Sequence, residues 1–297
     1  MNEYDVVIVG GGPAGLAGAL ALGRGCKRVL LCDAGPPRNA AAVHVHNFLT
    51  RDGTPPAELR GIGREQLRPY AVDVREARVE RIEPTERAVR VHVAELGVVE
   101  ARRVLLATGM IDVLPDVPGY RALWGASIFQ CPYCHGWEVR ERAFGYWAPS
   151  LERLDWARLL LAWTSDVVAF TGGAFDVPDE LRASLSRAGV RLEERAITAL
   201  REREGRLTAI ELEGGESVER EVLFAHPPQR QVPLVEALGL TLDAHGFVQV
   251  DAMRETSVPR VHAAGDLTTG MQGAILAAAA GTAAGAMINH LLTMDAE

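Results

Sequence analysis

The run Cys131-Pro132-Tyr133-Cys134-His135-Gly136 places two thiols with two residues between them and an imidazole directly after the second. In a Cys-x-x-Cys arrangement one thiol loses its proton more readily than a free cysteine, because its partner and the local backbone stabilise the thiolate. A histidine beside it titrates near neutrality and can take or return that proton. The chemistry these residues predict is reversible dithiol–disulfide exchange, with Cys131, Cys134 and His135 as the catalytic set. A zinc site would need two more ligands at short spacing. The remaining cysteines, Cys26 and Cys32, lie far upstream without paired histidines, so no metal is expected and both read as small buried hydrophobes.

Such a centre needs an electron carrier, and the first third of the chain is built to hold one. Asp5-Val6-Val7-Ile8-Val9 is a continuous apolar strand leading into Gly10-Gly11-Gly12-Pro13-Ala14-Gly15 and a helix of small residues to Arg24. A second strand, Arg28 to Cys32, ends on Asp33, about twenty residues beyond the glycines, where a Rossmann unit places the acid that binds a ribose hydroxyl. Gly10 permits the tight turn, Gly12 admits a pyrophosphate, and Gly15 lets helix pack on strand. Pro13 and Ala14 open the helix, whose N-terminus faces the phosphates.

Further strands are expected from Val74 to Ile82, Ala88 to Val93 and Arg102 to Leu106, the last running into Ala107-Thr108-Gly109, a turn that closes many FAD-binding domains. Near the other end a strand from Arg260 to Ala264 runs into Gly265-Asp266, followed by an Ala- and Gly-rich helix from Gln272 to Met287. An acid at such a turn accepts bonds from ribityl hydroxyls, and the helix start supplies N–H groups and positive potential. These motifs converge on one FAD only if the middle of the chain is an insertion. The predicted fold class is α/β with two Rossmann-like domains: a discontinuous FAD-binding domain, 1–117 and 229–297, and an inserted dithiol domain, 118–228.

The insert repeats the order strand, turn, helix, strand, with a helix from Leu151 to Trp163 and a strand from Asp166 to Phe170. Its turn is different in kind. Ala148, Pro149 and Ser150 stand where glycines are required, Leu151-Glu152-Arg153 put bulk at the helix start, and no arginine pair follows Phe170 to hold a 2′-phosphate. NADPH is therefore not expected there. His44 and His46 sit beside the flavin-side loop, where one could bond to the cofactor or act as a second proton relay, or both could be ordinary loop histidines. Among the tryptophans only Trp137 and Trp147 lie close to the motifs. The tract from Glu193 to Arg206 reads as a solvated helix end and hairpin.

At 297 residues, 48% hydrophobic and 24% charged, the chain is expected to be a globular protein with room for two cores. A net charge of −8 argues against nucleic acid or an anionic membrane as partner. No signal-peptide pattern or membrane span is evident, and four cysteines are too few for a secreted disulfide scaffold, so a cytoplasmic location is expected.

Taken together, the glycine turn, Ala107-Thr108-Gly109, the Cys-x-x-Cys and Ala264-Gly265-Asp266 with Met271-Gln272-Gly273-Ala274 resemble the low-molecular-weight thioredoxin reductases over essentially the whole chain. The resemblance implies an FAD-dependent disulfide oxidoreductase, a homodimer, and a thioredoxin-like protein or small-molecule dithiol or disulfide as partner. It implies that Asn47 lies near the flavin, that Asp266 binds the ribityl–phosphate arm, and that the backbone of Gln272 and Ala274, around Gly273, contacts the pyrimidine end. It also implies that Cys134 faces the flavin while Cys131 attacks the partner. The typical reductase carries aspartate after the second cysteine. His135 stands there instead, which looks like the flavin-dependent dithiol oxidases of the same family. Without NADPH, electrons enter from a dithiol and leave to oxygen, or enter from a ferredoxin-type donor.

Overall fold

The computed structural model describes residues 3–294. Two compact units divide them. One comprises residues up to Ala40, Phe48–Ile111 and those from Gln229 onward; the other comprises Ala41–Asn47 with Asp112–Pro228. This shifts the expected boundaries at two places. Residues 112–117 join the second unit because Leu114 and Val117 pack on its core beside Tyr120 and Leu123. Ala41–Asn47 join it because Ala41 lies against Gly125, whose Cβ position its backbone and methyl occupy, and because His46 pairs with Glu138.

The first unit is organised on the strand Glu3–Val9. Its last four residues are buried on both faces, as a central parallel strand requires. It pairs in parallel with Val29–Cys32 on one side and with Gly97–Leu106 on the other, and Val72–Arg75 extends the first edge. The strand Gly97–Leu106 is longer than the sequence pattern predicts because it serves two neighbours. Residues 97–101 pair antiparallel with Val89–Val93, while residues 104–106 pair in parallel with Val261–Ala263. The single strand expected from Val74 to Ile82 is two strands for a similar reason. Val72–Arg75 belongs to the parallel sheet, and Val79–Pro84 to the antiparallel meander with Val89–Val93.

The helix Pro13–Arg24 packs along Ala274–Met294, which continues seven residues beyond the expected end at Met287. Close approach explains the glycines in both: a Cβ at Gly281 would collide with the Ala14 carbonyl, and one at Gly285 would sit 2.8 Å from the Gly18 carbonyl. Ala274–Met294 is long and apolar enough to cross a membrane by composition alone. Here Ala277, Gly281, Ala284, Gly285 and Ile288 are buried within the unit.

The second unit contains a five-stranded parallel sheet in the order Val190–Glu193, Val167–Phe170, Phe144–Trp147, Val222–Ala225, Ile128–Phe129. Phe144, Tyr146, Phe170 and Phe224 are fully buried around it. In place of one helix from Leu151 to Trp163, a single α-turn, Leu151–Leu154, passes into a 3₁₀ helix, Asp155–Ala162. Leu154, Ala157 and Leu160 are the fully buried positions, and a three-residue repeat faces one side only at 3.0 residues per turn. The charged tract likewise holds no helix end. The preceding helix, Asp179–Ala188, stops at Gly189 in the left-handed conformation, and the tract itself belongs to Val190–Glu193 and the hairpin Ile197–Arg203 with Arg206–Leu212. Cys32 is buried as expected, whereas Cys26 is exposed, in the left-handed turn after Gly25.

Three histidines are held mostly inside. His135, His226 and His262 are each pushed down to about 4, by burial first; the charges of His46, Arg153 and Arg103 respectively add to it. Their stability contribution is complete above the unfolded value near 6.5 and is lost as pH falls towards 4, because the unfolded chain then binds protons the folded one refuses. Each contributes a slope approaching about 1.4 kcal/mol per pH unit in that window. Urea midpoints are therefore expected to be level from pH 8 to 7 and to fall steeply from pH 6.5 to 4.5; a level midpoint down to pH 5 would contradict this.

Candidate active site

In the first unit, three strand ends meet at the glycine turn. The Gly10 N–H donates to the Cys32 carbonyl at 2.8 Å, and the Ala107 N–H donates to the Val9 carbonyl at 2.8 Å. Gly10 has φ +112°, and any side chain there would strike the Ala107 carbonyl. Gly12 is the opposite case: a Cβ would meet nothing within 4 Å. It caps Pro13–Arg24 with no side-chain bond, so the helix start is left open beside empty space. Gly15 lies against the Gly10 carbonyl, and a Cβ there would also sit 3.4 Å from the Ile8 side chain of the first strand.

The C-terminal motif arrives at the same place. The Ala264 N–H donates to the Leu106 carbonyl at 3.0 Å, and Gly265, φ +95°, has its Cβ position 2.9 Å from the Ala14 side chain. This brings Gly10 to Gly15, Ala107-Thr108-Gly109 and Gly265-Asp266 together. An open helix N-terminus, a cradle at Gly12 and a carboxylate nearby fit the pyrophosphate and ribityl arm of a dinucleotide. Asp266 accepts from Arg38 at 3.1 Å; the same guanidinium nitrogen donates to Gln272 Oε1 at 2.6 Å. Gln272 and Gln229 exchange amide bonds at 2.9 and 3.1 Å, and Gln272 also donates to the Asp266 carbonyl. Gly273 accepts from Ala277, and Ala274 opens the last helix.

Sequence reasoning missed Arg38 and Gln229, which lie in no motif. It also missed two arginines for which a signal existed. Arg60 and Arg64 stand four apart on the helix Pro56–Leu67, hence on one face, and both donate to Asp33 Oδ2. The Asp33 side chain is 9% exposed and lies hard against Gly11. Asn47, in the left-handed conformation at φ +58°, belongs to the second unit rather than to this cluster.

In the second unit, Cys131 caps a one-turn helix, Pro132–His135, with proline at its first position, and the Cys134 N–H donates to the Cys131 carbonyl at 3.2 Å. Both cysteines are half-buried and not joined in a disulfide. Cys131 is lowered to about 7: the Cys134 thiol donates to its sulfur, burial opposes, and the backbone N–H groups of Cys134 and Tyr133 assist. It is the thiol prepared to be a nucleophile. His135 stacks on Phe129 with centroids 4.3 Å apart, and its buried nitrogens lack hydrogen-bond geometry to any group, although the nearby Cys131 carbonyl weakly favours its protonation. It is consequently a neutral imidazole at pH 7. Tyr133 and Trp137 are 61% and 66% exposed beside the motif, with the Arg140 guanidinium 4.0 Å over the Trp137 ring. Trp147 instead packs edge-on to buried Tyr120. Among the described residues, no three His, Cys, Asp or Glu side chains gather into a metal-binding set.

The second turn lies where Phe144–Trp147 ends. Ala148 is buried, its N–H bonded to the Phe170 carbonyl. Glu152 sits at the helix start with its carboxyl lowered by the Ser150 hydroxyl and its own N–H. At the ends of the neighbouring strands, His226 stands edge-on to Trp156 at 4.7 Å, Arg182 is spent on Glu194, and Arg195 on Glu193 and Glu216.

Comparison with known proteins settles the family. The model of the pyridine nucleotide-disulphide oxidoreductases matches residues 4–154 and 168–281. The chain belongs to that family. A thioredoxin reductase of Claviceps purpurea (strain 20.1) is 32% identical over 312 residues, covering 99% of this chain and 96% of its own. The crystal structure of HlmI superposes with a TM-score of 0.91 at 35% identity, covering 99% of this chain and 93% of its own. That of an oxidoreductase from Agrobacterium tumefaciens gives 0.91 at 33%, covering both chains fully. This oxidoreductase is thus an FAD-dependent, thioredoxin reductase-like flavoprotein of Rossmann type.

Proposed function

We propose that this oxidoreductase passes electrons between FAD and a partner dithiol or disulfide through Cys131 and Cys134, without NADPH. The observation that carries the reading is the Cys131–Cys134 pair, with one thiol already lowered to about 7. FAD, when bound, supplies the two-electron donor or acceptor. Gly10, Gly12, Pro13, Ala14 and Gly15 would hold its pyrophosphate, with Asp33 towards the adenosine ribose. Asp266 would take its ribityl arm, while Asn47, Ala107, Thr108, Gly109, Gly265 and Gln272–Ala274 would border it.

The chain's own residues perform the exchange. The Cys131 thiolate attacks one sulfur of a partner disulfide; that S–S bond breaks, a mixed disulfide forms, and the leaving sulfur takes a proton. Cys134 then attacks the Cys131 sulfur, releasing the second partner thiol and leaving Cys131–Cys134 oxidised. Two electrons have reached the partner. Run backwards, the same steps close a disulfide in a dithiol substrate. The partner is a thioredoxin-like protein or a small dithiol, and a two-electron equilibrium shifts about tenfold per 30 mV, so small differences in potential set the direction. Cys134 would be the thiol that faces the flavin, and His135 receives and returns the proton. Electrons leave to oxygen or enter from a ferredoxin-type donor.

The exclusion of NADPH rests on the second turn. Glu152 holds the anion position at that helix start, Ala148 is buried against the strand end, and Arg182 and Arg195 are engaged by Glu194 and by Glu193 and Glu216. Anaerobic stopped-flow mixing with micromolar NADPH is expected to leave the flavin absorbance unchanged over seconds. Rapid bleaching would restore an ordinary pyridine-nucleotide-dependent reductase. A homodimer is supported by exposed Leu276 and Met294 on the incompletely buried Ala274–Met294 helix, and a cytoplasmic location by the small number of cysteines.

A further inference from the structure

Arg60 and Arg64 hold Asp33 in a way that a plain ion pair does not require, and the function proposed above gives them no part. The helix that carries them, Pro56–Leu67, packs closely on Pro13–Arg24, where a Cβ at Gly63 would sit 2.9 Å from the Leu16 side chain. Its two arginines lie four apart on one face, and both reach Asp33 just past the end of Val29–Cys32. Both donate to Oδ2, Arg64 at 2.7 Å, and neither donates to Oδ1. Arg60 Nε also donates to the Gly11 carbonyl at 3.3 Å, which ties the cluster to the glycine turn. On its far side Arg64 is backed by Glu76 at 3.1 Å. The Arg60 and Asp33 side chains are 16% and 9% exposed, so water hardly competes for these bonds.

A guanidinium that only neutralises a carboxylate commonly takes both of its oxygens, because two parallel N–H groups match the two acceptors. Here two guanidiniums crowd one oxygen. A carboxylate oxygen accepts about two bonds, so Oδ2 is filled and the carboxylate is held from turning, while Oδ1 keeps its capacity to accept. At the end of the second strand of a Rossmann unit, that acceptor is what a ribose hydroxyl meets.

We propose that Arg60 and Arg64 are positioning residues for the flavin dinucleotide: they grip Oδ2 of Asp33 so that Oδ1 is presented to a hydroxyl of the adenosine ribose. This rests on the placement of FAD proposed above. The arginines act through Asp33 and touch no part of the cofactor themselves.

The test reads binding rather than turnover. Flavin is stripped from the full-length protein, with circular dichroism as the folding control. Dissociation constants are measured by flavin fluorescence for FAD and for FAD analogues carrying 2′-deoxyadenosine or 3′-deoxyadenosine. The parent is expected to bind at least one analogue about tenfold more weakly than FAD, the cost of losing a hydrogen bond to a charged group. Arg60→Met and Arg64→Met each leave one guanidinium on Asp33, which keeps the acid paired. Each is expected to weaken FAD binding about three- to tenfold and that analogue by less than about twofold, so the discrimination shrinks. In Asp33→Ala the discrimination should vanish, and adding Arg60→Met should cost less than about twofold more. Arg60→Lys, which can still donate to Oδ2, should keep more of the discrimination than Arg60→Met.

Equal losses for FAD and the analogue would show that the arginines only support the fold. An Arg60→Met loss that persists in Asp33→Ala would show direct attraction to the pyrophosphate, and unchanged FAD affinity would show no role at all. Each of these overturns the proposal. A parent that binds FAD and both analogues equally would take Asp33 away from the ribose, and the positioning role with it. A folded parent that takes up no FAD would instead overturn the function proposed above.

Discussion

Gly12→Val protein is expected to fold and to purify colourless. Gly12 has φ −78° and ψ −175°, which valine adopts freely, and a Cβ there meets no atom within 4 Å, so the folded chain accommodates the larger residue. The same open space is the approach to an uncapped helix start, the place a pyrophosphate occupies when backbone N–H groups bind it. An isopropyl group would fill that space. Each ~1.4 kcal/mol of lost contact costs tenfold in affinity, so displacing the pyrophosphate should lower FAD affinity by a hundredfold or more. Circular dichroism matching the parent together with loss of flavin absorbance is the expected pair of results. Stoichiometric flavin in a folded Gly12→Val protein would show that the cofactor does not enter at this turn.

Cys134→Ala should abolish turnover and, less obviously, make Cys131 a poorer nucleophile. The largest influence lowering Cys131 to about 7 is the bond donated by the Cys134 thiol, whereas burial pushes the other way. Removing the donor leaves burial opposed only by two backbone N–H groups, so the Cys131 value should rise towards or past that of an ordinary thiol. Alkylation at pH 7 is then expected to slow about tenfold or more, since only the thiolate reacts. Loss of exchange should be at least a thousandfold, because a lone Cys131 can form the mixed disulfide but cannot resolve it. The reciprocal Cys131→Ser leaves Cys134 as the flavin-side thiolate, which should give a long-wavelength absorbance absent from Cys134→Ala. If the absorbance appears in Cys134→Ala instead, the two thiols have exchanged roles.

Most of the scaffold was legible because strand, glycine turn and helix leave local signatures. Val6 to Val9 are apolar on both faces, Gly10 requires its left-handed turn, and the Gly265 backbone must approach Ala14. What escaped was set by distant partners. No local pattern says that residues 97–101 and 104–106 of one strand pair with different neighbours, or that Leu154, Ala157 and Leu160 select a 3₁₀ helix. Arg38 and Gln229 are isolated in sequence and become part of the site only when the chain ends fold together around Gln272. Arg60 and Arg64 were readable as a helix face, yet their target, Asp33, was assigned to a ribose. For His135 the residue type suggested a group titrating near neutrality. Burial first and its proximity to His46 second bring it down to about 4, and neither is visible from the motif.

Anaerobic photoreduction of air-oxidised protein, with thiols counted after denaturation, tests most directly whether flavin and dithiol form one redox circuit. If they do, the protein takes up about four electrons per chain, two for the flavin and two for the disulfide, and gains about two thiols. Cys131→Ser should accept electrons at the flavin and gain no thiols. Flavin bleaching at two electrons in the parent protein, with the Cys131–Cys134 disulfide intact, would contradict the account.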